Sequence, residues 1–389
     1  MKNKRIVYVG RVGTPVNAPG IRIYNIAKVL REIGYEVDFI CDREDYSGQT
    51  LKSFDGFNYY YNKCTGKSNV FQSVKNVYEL VFADKIFGRV EKYCKKYKPD
   101  AIILYNDVYA LTKKLIKYCK QNRIRLIADV TEWYEKRKFN KIGDKIVPYL
   151  TDKRIRKLDQ KVCNIISISP YLHSYYLDLG CNSIFVPPTF DVPKNIEIKK
   201  YHYYQEPVLN LVYAGSPGSK DILVPILNAI EILNRDKITV RLDLVGLDAS
   251  YLKRVWKELD FNELAIIAHG RLTHAETLKI VRRADFGILL RYQKRYAKAG
   301  FSTKFVECMS YGVPMICNSV GGADALIDSM NNGIIVENYN VNTLTNLFSE
   351  LTSYHEKDII RIRENAYEKA LTLFDRTNYK ELFNQFLKR

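Results

Sequence analysis

The chain has 389 residues, of which 47% are apolar and 27% are charged, a composition typical of soluble globular proteins and unlike that of disordered or collagen-like chains. At about 100–200 residues per domain, this length predicts two or three domains. No apolar run approaches the roughly 20 residues of a membrane-spanning helix, and the apolar run 6–9 is too short for a secretory signal.

The positive charge is concentrated in one half of the chain. Residues 1–190 carry a formal net charge of +15, whereas residues 191–389 carry only +3. Such an asymmetry favours a polyanionic partner of the first half, either nucleic acid or an anionic membrane surface. A lysine-rich surface that only keeps the protein soluble would also explain it.

Short apolar runs alternate with helix-length amphipathic segments along the whole chain. In chain order the predicted strands are 5–9, 36–41, 101–105, 124–129, 164–169, 183–186, 209–214, 240–245, 265–268, 286–290, 313–318 and 333–336. Near-continuous apolar strands between helices are typical of parallel sheets covered on both faces. The predicted fold class is therefore α/β, with two Rossmann-like doubly wound domains facing a cleft.

A proline-rich stretch at 187–207, with four prolines, separates the two series of strands. Proline fixes φ and removes a donor, so this stretch is predicted to be a linker. The predicted divisions are an N-terminal domain (1–186), the linker (187–207), a C-terminal domain (208–372), and a terminal helix (373–389) packed on one or both domains. A ligand is expected in the cleft, at the carboxyl ends of the strands.

The eight cysteines form no C-x-x-C pair, and the five histidines are scattered. A structural zinc site needs clustered ligands, so no metal site is predicted. Cysteines in this pattern are expected to be small core residues of a protein in a reducing cytosol.

The loop after the first strand, residues 10–22, contains Gly13, Gly20 and Arg22 and leads into a helix predicted at 24–33. Small residues let a ligand approach the backbone, and a helix N-terminus attracts anions. The loop has neither the G-x-G-x-x-G nor the P-loop pattern. A tight turn explains it as well.

A second loop follows the strand 209–214; it contains Gly215 and ends in Lys220. Lysine supplies a mobile positive charge for phosphate oxygens. The alternative is that Lys220 is a solvated residue beside Asp221.

The third motif begins at Arg291, after the strand 286–290. Ser302 or Thr303 can cap a helix that ends near residue 312, and backbone amides at its start can bind a diphosphate. Glu307 lies four residues after Thr303, on the same side of this helix, where its carboxylate can accept hydrogen bonds from the vicinal hydroxyls of a ribose. A cap followed by an exposed glutamate is the alternative.

Together these motifs resemble the GT-B nucleotide-sugar glycosyltransferases, in particular retaining glycosyltransferase family four, over essentially the full length. The segment 301–314, FSTKFVECMSYGVP, is similar to the version found in enzymes that build bacterial capsule and exopolysaccharide. The resemblance implies that Glu307 binds the ribose of the donor and that Lys220 binds its phosphates. It also implies retention of the anomeric configuration, with no cofactor or obligatory metal and with a UDP-sugar as the favoured donor.

The chain departs from the family pattern at two positions. Ala299 stands where the family usually has a glutamate that holds the donor sugar, and Ser216 stands where an arginine often follows the glycine. Arg291 and Lys304 can supply the missing positive charge. The first departure leaves the donor sugar open and makes a non-catalytic partner of an active transferase an alternative.

The segment 128–134 follows the strand 124–129, at a point where the family often has a histidine or an acidic residue close to the acceptor. Asp129 and Glu132 are the catalytic candidates on the acceptor side. Glu132 is favoured because its neighbour Trp133 has a ring that can pack on a sugar. A polar turn that caps the next helix explains the segment equally well.

Basic residues of the first domain are interleaved with apolar ones, which suits the plane of an anionic membrane, at about 1 kcal/mol per basic residue near the surface. The cluster that is interleaved with apolar residues contains Lys136, Arg137, Lys138, Lys141, Lys145, Lys153, Arg154, Arg156, Lys157 and Lys161.

The sequence thus predicts a cytoplasmic glycosyltransferase, peripheral on the inner face of the membrane. It would transfer a sugar from a nucleotide-diphosphate sugar to a lipid-linked saccharide in bacterial surface polysaccharide synthesis. The alternatives are a GT-B-like nucleotide-sugar epimerase and a non-catalytic partner. A nucleic-acid binder is disfavoured, because no nucleic-acid-binding module is recognisable.

Overall fold

The computed structural model describes residues 4–10, 13–15, 17–45, 49–63, 78–106, 109–135, 142–198, 208–218, 220–256 and 261–388. The chain divides into two compact units. The first contains residues 1–191, 298–301 and 376–389, and the second contains residues 192–297 and 302–375. The first unit is thus built from three separate stretches of the chain. Of the predicted linker, residues 199–207 lie outside the described residues.

The first unit is built on one mostly parallel sheet. Its strands are β1 (Lys4–Gly10), β2 (Tyr35–Asp45), β3 (Leu51–Phe54), β4 (Phe57–Lys63), β5 (Ala101–Tyr105), β6 (Arg125–Val130), β7 (Asn164–Ser167) and β8 (Asn182–Phe185). They lie in the order β3-β4-β2-β1-β5-β6-β7-β8. Within the described residues every neighbouring pair is parallel except β3 with β4.

The hairpin of β3 and β4 was not among the predicted strands. Phe54 pairs with Phe57 across a two-residue turn, and both turn residues have positive φ, at 48° for Asp55 and 76° for Gly56. Asp-Gly is a strong signal for this type of hairpin turn. The strands were missed because they lie at the sheet edge, where Leu51 is 50% exposed, and therefore lack a continuous apolar run.

Helices cover both faces of this sheet. They are α1 (Ala18–Glu32), α2 (78–82), α3 (Asp84–Tyr97), α4 (Tyr109–Asn122), α5 (Ile142–Lys157), α6 (Asp159–Val162), α7 (Pro170–Asp178) and, from the end of the chain, α15 (Lys380–Lys388). One buried cluster joins the sheet to α3, α4, α5 and α7, and another joins it to α1 and α15. This arrangement explains why the strands are apolar on both sides.

The C-terminal helix α15 belongs to the first unit. Phe383 and Phe386 are buried in the cluster that includes α1. The guanidinium of Arg125 donates hydrogen bonds to the carbonyls of Phe386 (2.8 Å) and Leu387 (2.9 Å), so it satisfies carbonyls that the end of a helix leaves unpaired.

The second unit has a fully parallel sheet. Its strands are β9 (Leu209–Ala214), β10 (Val240–Val245), β11 (Ile266–Gly270), β12 (Phe286–Leu289), β13 (Met315–Asn318) and β14 (Gly333–Val336). Their order is β11-β10-β9-β12-β13-β14, which is the Rossmann order, with its switch point between β9 and β12. The structure therefore confirms the prediction of two α/β domains with parallel sheets.

The remaining helices follow these strands. They are α8 (Val224–Leu233), α9 (Ala249–Val255), α10 (His274–Arg283), α11 (Arg295–Ala299), α12 (Thr303–Ser310), α13 (Val341–Thr352) and α14 (Glu356–Leu373). None of the helices in the described part of the chain combines the length and the apolar character needed to cross a membrane.

Candidate functional site

Four polar side chains meet in the second unit where β9 and β12 end. Tyr213 lies in β9, Asp221 follows it in the next loop, Arg291 follows β12, and Lys304 is in the first turn of α12. β9 and β12 are neighbours in the sheet. The carboxyl ends of strands at such a switch point form the usual ligand crevice of this sheet type.

Asp221 is the centre of this group, and only 2% of its side chain is exposed. Its Oδ1 accepts a hydrogen bond from Arg291 Nε at 2.8 Å. Its Oδ2 accepts from the Tyr213 hydroxyl at 2.6 Å and from Lys304 Nζ at 3.2 Å. The group, called the Asp221 cluster below, therefore contains two cations and one carboxylate, which gives it a surplus of positive charge.

The charges of the Asp221 cluster depend on one another. Burial by itself raises the pKa of Asp221, but Arg291 and Lys304 outweigh it and hold that pKa below its ordinary value. Burial lowers the pKa of Lys304, while the Asp221 carboxylate acts in the opposite direction. The cluster thus places the half-buried Lys304 amino group beside a carboxylate that stays ionised at neutral pH.

Gly215 makes room for this arrangement. Its φ of +134° is rare for residues with a β-carbon, and its amide donates to the Val245 carbonyl at 2.7 Å. A β-carbon at residue 215 would lie 1.9 Å from Lys304 Cε. Only glycine therefore lets the lysine cross the end of β9.

Two further glycines end the neighbouring strands. Gly246 has a φ of +92° and Gly270 a φ of +68°, and the Gly246 amide donates to the Gly270 carbonyl at 2.7 Å. A β-carbon on Gly246 would lie 2.9 Å from the Gly215 carbonyl oxygen. The ends of β9, β10 and β11 are consequently lined by backbone, which a ligand can approach closely.

The helix α12 presents Glu307 one turn in from its start. Ser302 is the cap residue, and its Oγ accepts from the Phe305 amide at 3.4 Å, while Thr303 is the first helical residue. Glu307 Oε1 lies 3.5 Å from Nδ1 of His274, the first residue of α10. Burial raises the pKa of Glu307, and His274 partly offsets this effect.

The predicted phosphate-binding residue Lys220 lies next to Asp221 in the chain. Its amide donates to the Pro217 carbonyl at 3.1 Å, and its side chain is half-buried. Ser219, beside it, lies outside the described residues. Of the predicted donor-binding residues, Arg291 and Lys304 are thus members of the Asp221 cluster, and Gly215 lies directly against Lys304. The phosphate-binding role of Lys220 stays a prediction.

In the first unit, the helix after the first loop starts earlier in the chain than predicted. The helix α1 begins at Ala18 and not at 24, because Asn17 caps it by accepting from the Gly20 amide at 3.0 Å. Gly20 is therefore inside the helix, where a β-carbon would lie 2.7 Å from the Thr14 carbonyl oxygen. Gly13 is half-buried. The close return of the loop onto the helix explains the glycine at residue 20.

Arg22 and Asp129 form a buried ion pair, with Nη2 and Oδ1 at 2.8 Å and side-chain exposures of 2% and 0%. Arg22 also donates to the carbonyls of Val186 and Pro187, and the Tyr8 hydroxyl donates to Asp129 Oδ2 at 3.2 Å. Asp129 is thus held inside the unit by groups that stabilise the fold. The prediction that Asp129 acts on the acceptor side is therefore wrong, because an acceptor cannot reach this buried side chain.

Glu132 is half-buried just after β6, and its catalytic role stays a prediction. The expectation that the neighbouring ring packs on a sugar is wrong: Trp133 is 2% exposed, and its Nε1 donates to Asp152 at 2.8 Å. Its ring packs edge-on against Tyr175, with centroids 4.8 Å apart. Trp133 is a core residue and does not offer its face to a sugar.

The basic residues 136, 137, 138 and 141 lie outside the described residues. Their predicted contact with a membrane stays a prediction.

A comparison with family models gives the decisive observation for the second unit. Residues 209–353 match the family described as Glycosyl transferases group 1. The second unit therefore contains a segment that is similar to the group 1 glycosyltransferases. The matched residues include β9, the Asp221 cluster, α12 and Glu307, so the candidate site lies inside the matched segment. A comparison with curated protein sequences finds no match.

Solved structures match the whole chain, at low sequence identity. Sucrose-phosphate synthase from Thermosynechococcus elongatus has a TM-score of 0.71 at 14% identity, covering 99% of this chain and 98% of that one. Anabaena HepE in complex with UDP and glucose has a TM-score of 0.60 at 15% identity, covering 99% of each chain. WaaG, a glycosyltransferase involved in lipopolysaccharide biosynthesis, has a TM-score of 0.62 at 12% identity, covering 98% of this chain and 99% of that one. These likenesses establish the GT-B fold.

The two departures from the family pattern have distinct surroundings. At the first, Ala299 has 0% exposure, packs in a core cluster of the first unit, and its carbonyl accepts from Ser169 Oγ at 2.8 Å. At the second, exposed Ser216 follows Gly215, and Lys304 brings a cation to the same strand end. The second unit thus has a positive charge near the place where the family that the sequence resembles often has an arginine.

The sequence analysis missed three members of the site. They are Asp221 at the centre of its cluster, Tyr213 as a hydrogen-bond donor to Asp221, and His274 beside Glu307. Asp221 was noted only as a neighbour of Lys220. A polar hydroxyl near the end of a buried strand was the available signal for Tyr213. For His274, the signal was its place after the Thr273 cap, where an N-terminus faces the strand ends.

Proposed function

We propose that this protein is a retaining glycosyltransferase of the family-four type that uses a UDP-sugar as donor. The observation that carries the proposal is the Asp221 cluster. Two cations share one buried carboxylate at the end of β9, inside a domain that matches the group 1 glycosyltransferases. A surplus cation in a partly buried site attracts an anion, and a diphosphate is the anion that a nucleotide sugar supplies.

UDP is the favoured nucleotide because HepE, which has the same fold, is described in complexes with UDP and with UDP-glucose. Glu307 is proposed to accept hydrogen bonds from the ribose hydroxyls, since its carboxylate lies one turn into α12 and remains partly exposed, at 24%. Because this carboxyl is half-buried, its ionisation is costly, so a hydroxyl pair that donates to it would be a favourable partner.

The chemistry expected of the site is stabilisation of the leaving group. As the glycosidic bond to the donor breaks, negative charge grows on the diphosphate oxygens. Arg291 and Lys304 are fixed before the reaction by Asp221, so they need little reorganisation as that charge develops. Interactions that strengthen in the transition state raise kcat and not only the affinity for the donor.

The proposed acceptor is a lipid-linked saccharide of bacterial surface polysaccharide synthesis, presented at the anionic inner face of the membrane. The support is the charge of +15 on residues 1–190, together with exposed apolar side chains in the first unit. Tyr78 is 49% exposed, Val81 39%, Phe82 48% and Tyr149 57%. Basic residues with exposed aromatic ones suit a headgroup interface.

The proposal is tested first by thermal unfolding with a panel of UDP-, GDP- and ADP-sugars. A ligand at 100 times its Kd adds about 2.7 kcal/mol to the free energy of unfolding. Stabilisation by UDP-sugars alone would support the assignment, and stabilisation by none would contradict it.

The second step is transfer to a lipid-linked acceptor, with the anomeric configuration of the product read by NMR. Retention supports the family-four assignment. Donor binding without transfer or hydrolysis would favour the non-catalytic partner, the alternative that Ala299 keeps open. Conversion of the donor without acceptor into an epimeric nucleotide sugar would favour an epimerase.

A further inference from the structure

The Asp221 carboxylate contacts side chains from three separate parts of the chain. Arg291 is 70 residues away and Lys304 is 83 residues away along the sequence. Tyr213 joins them from β9, and the backbones of Asp221 and Arg291 also form an isolated bridge. Asp221 therefore fixes where both cations lie.

The hydrogen-bonding capacity of the two cations is only partly used. Arg291 has five N–H donors; its Nε donates to Asp221, and among the described residues its side chain has no other hydrogen-bond or ion-pair partner. Its side chain is 17% exposed. Lys304 donates to Tyr213 at 3.0 Å and to Asp221. Donors thus remain on both cations for an additional acceptor.

We propose that Asp221 is a positioning residue that keeps Lys304 charged and holds Arg291 in place for the diphosphate of the donor. This inference rests on the proposed function, since the diphosphate is its ligand. Asp221 itself does not touch the diphosphate, because its side chain is only 2% exposed and its negative charge would repel that anion. It acts through the two cations.

The charge of Lys304 is the property most sensitive to Asp221. Burial lowers the pKa of Lys304, the nearby Arg291 lowers it further, and Asp221 and Cys308 raise it. The Cys308 thiol is neutral at physiological pH, because burial raises its pKa to about 12. Tyr213 is neutral too, since burial raises the pKa of its hydroxyl. Loss of the Asp221 charge therefore lowers the pKa of Lys304, and the lysine loses its proton as the pH rises.

The test measures UDP affinity by calorimetry at pH 7 and at pH 8.5, for the wild type, Asp221→Asn and the double variant D221N/K304M. The wild-type Kd should change by no more than about twofold. The Kd of D221N should rise about tenfold between the two pH values, the equivalent of one lost charge-assisted hydrogen bond. The double variant should show no such rise, because methionine does not titrate.

A ligand-free measurement accompanies the titration. The acylation rate of Lys304 by an amine-reactive reagent at pH 8, followed by mass spectrometry, should be several-fold higher in D221N than in the wild type, since only the neutral amine reacts. Lys304→Met alone keeps Asp221 paired with Arg291, so the cluster retains one cation and one carboxylate. It should bind UDP about tenfold more weakly at pH 7.

The inference is overturned if D221N binds UDP like the wild type at both pH values, if its pH dependence persists in D221N/K304M, or if K304M keeps full affinity. Failure of the wild type to bind UDP, GDP or ADP would instead overturn the proposed function. In that case the acylation rate still decides whether Asp221 keeps Lys304 charged.

Discussion

Lys304 crosses the backbone of Gly215 so closely that a β-carbon on residue 215 would lie 1.9 Å from Cε and 2.4 Å from Nζ. The glycine directly follows β9, and the lysine comes from α12. The absence of a side chain at one strand end is thus what allows a cation from another element to reach Asp221. The cluster depends on both residues.

Gly215→Ala should displace Lys304 and weaken UDP binding by about tenfold, the loss of one charge-assisted hydrogen bond. Calorimetry with UDP measures this effect. Gly218→Ala is the matched control, because Gly218 also has a positive φ, of +53°, but a β-carbon on it would meet no atom within 4 Å. Equal losses in the two variants would assign the effect to backbone strain and not to Lys304.

Glu307→Ala should weaken UDP binding by roughly 1.5–3 kcal/mol, the cost of a lost charge-assisted hydrogen bond, and Glu307→Gln should cost less, because an acceptor oxygen remains. Binding of UDP and of its 2′,3′-dideoxy analogue to each variant isolates the ribose contribution. The dideoxy analogue should bind the wild type and the alanine variant equally. A similar loss for both nucleotides would contradict the ribose role.

The raised pKa of Glu307 predicts opposite effects on stability and on binding. A carboxyl whose pKa is higher in the folded state stabilises the fold below its unfolded pKa, and this contribution is lost as the pH rises through the folded value. At pH 7.5 Glu307→Gln should therefore raise the Tm of the ligand-free protein while it weakens UDP binding. A lower Tm in the variant would show that the carboxylate stabilises the fold.

Asp129 and Glu132 should respond differently to substitution. Asp129→Ala leaves Arg22 buried without its partner and should cost about 3–5 kcal/mol in urea unfolding. Glu132→Gln should change the free energy of unfolding by less than about 0.5 kcal/mol and lower transfer to the acceptor. Full transfer activity in the glutamine variant would remove Glu132 from the acceptor side.

The first domain should bind vesicles that contain anionic lipid and bind neutral vesicles only weakly. Salt shortens the electrostatic reach to about 8 Å at physiological ionic strength, so cosedimentation should fall as salt rises. Charge reversal is expected to release the protein without loss of UDP binding when it is made at Lys136, Arg137, Lys138 and Lys141.

The control for this experiment reverses four exposed basic residues of the second unit, which should leave vesicle binding nearly unchanged: Arg235, Lys237, Lys253 and Lys357. Equal binding to neutral and anionic vesicles, or binding to neither, would mean that the basic residues of the first domain serve solubility only.

Local patterns in the sequence were enough to predict the parallel sheets of both units. Alternation of apolar runs and amphipathic segments predicts two parallel α/β domains. This works because the spacing of apolar residues that distinguishes a helix from a strand is visible within a short stretch of sequence. The four-residue spacing between Thr303 and Glu307 likewise fixes their common side of α12. The hairpin at Asp55 was missed, although its Asp-Gly turn is also a local signal.

Contacts between distant residues were decided only by the tertiary structure. The sequence presents Asp129 and Trp133 as polar and aromatic residues at a strand end, and only packing reveals that both are buried. Nothing local links Asp221 to Arg291, 70 residues away. A residue's burial and charge state depend on which elements pack around it, so the sequence determined which residues reach the strand ends, and the fold decided which of them meet.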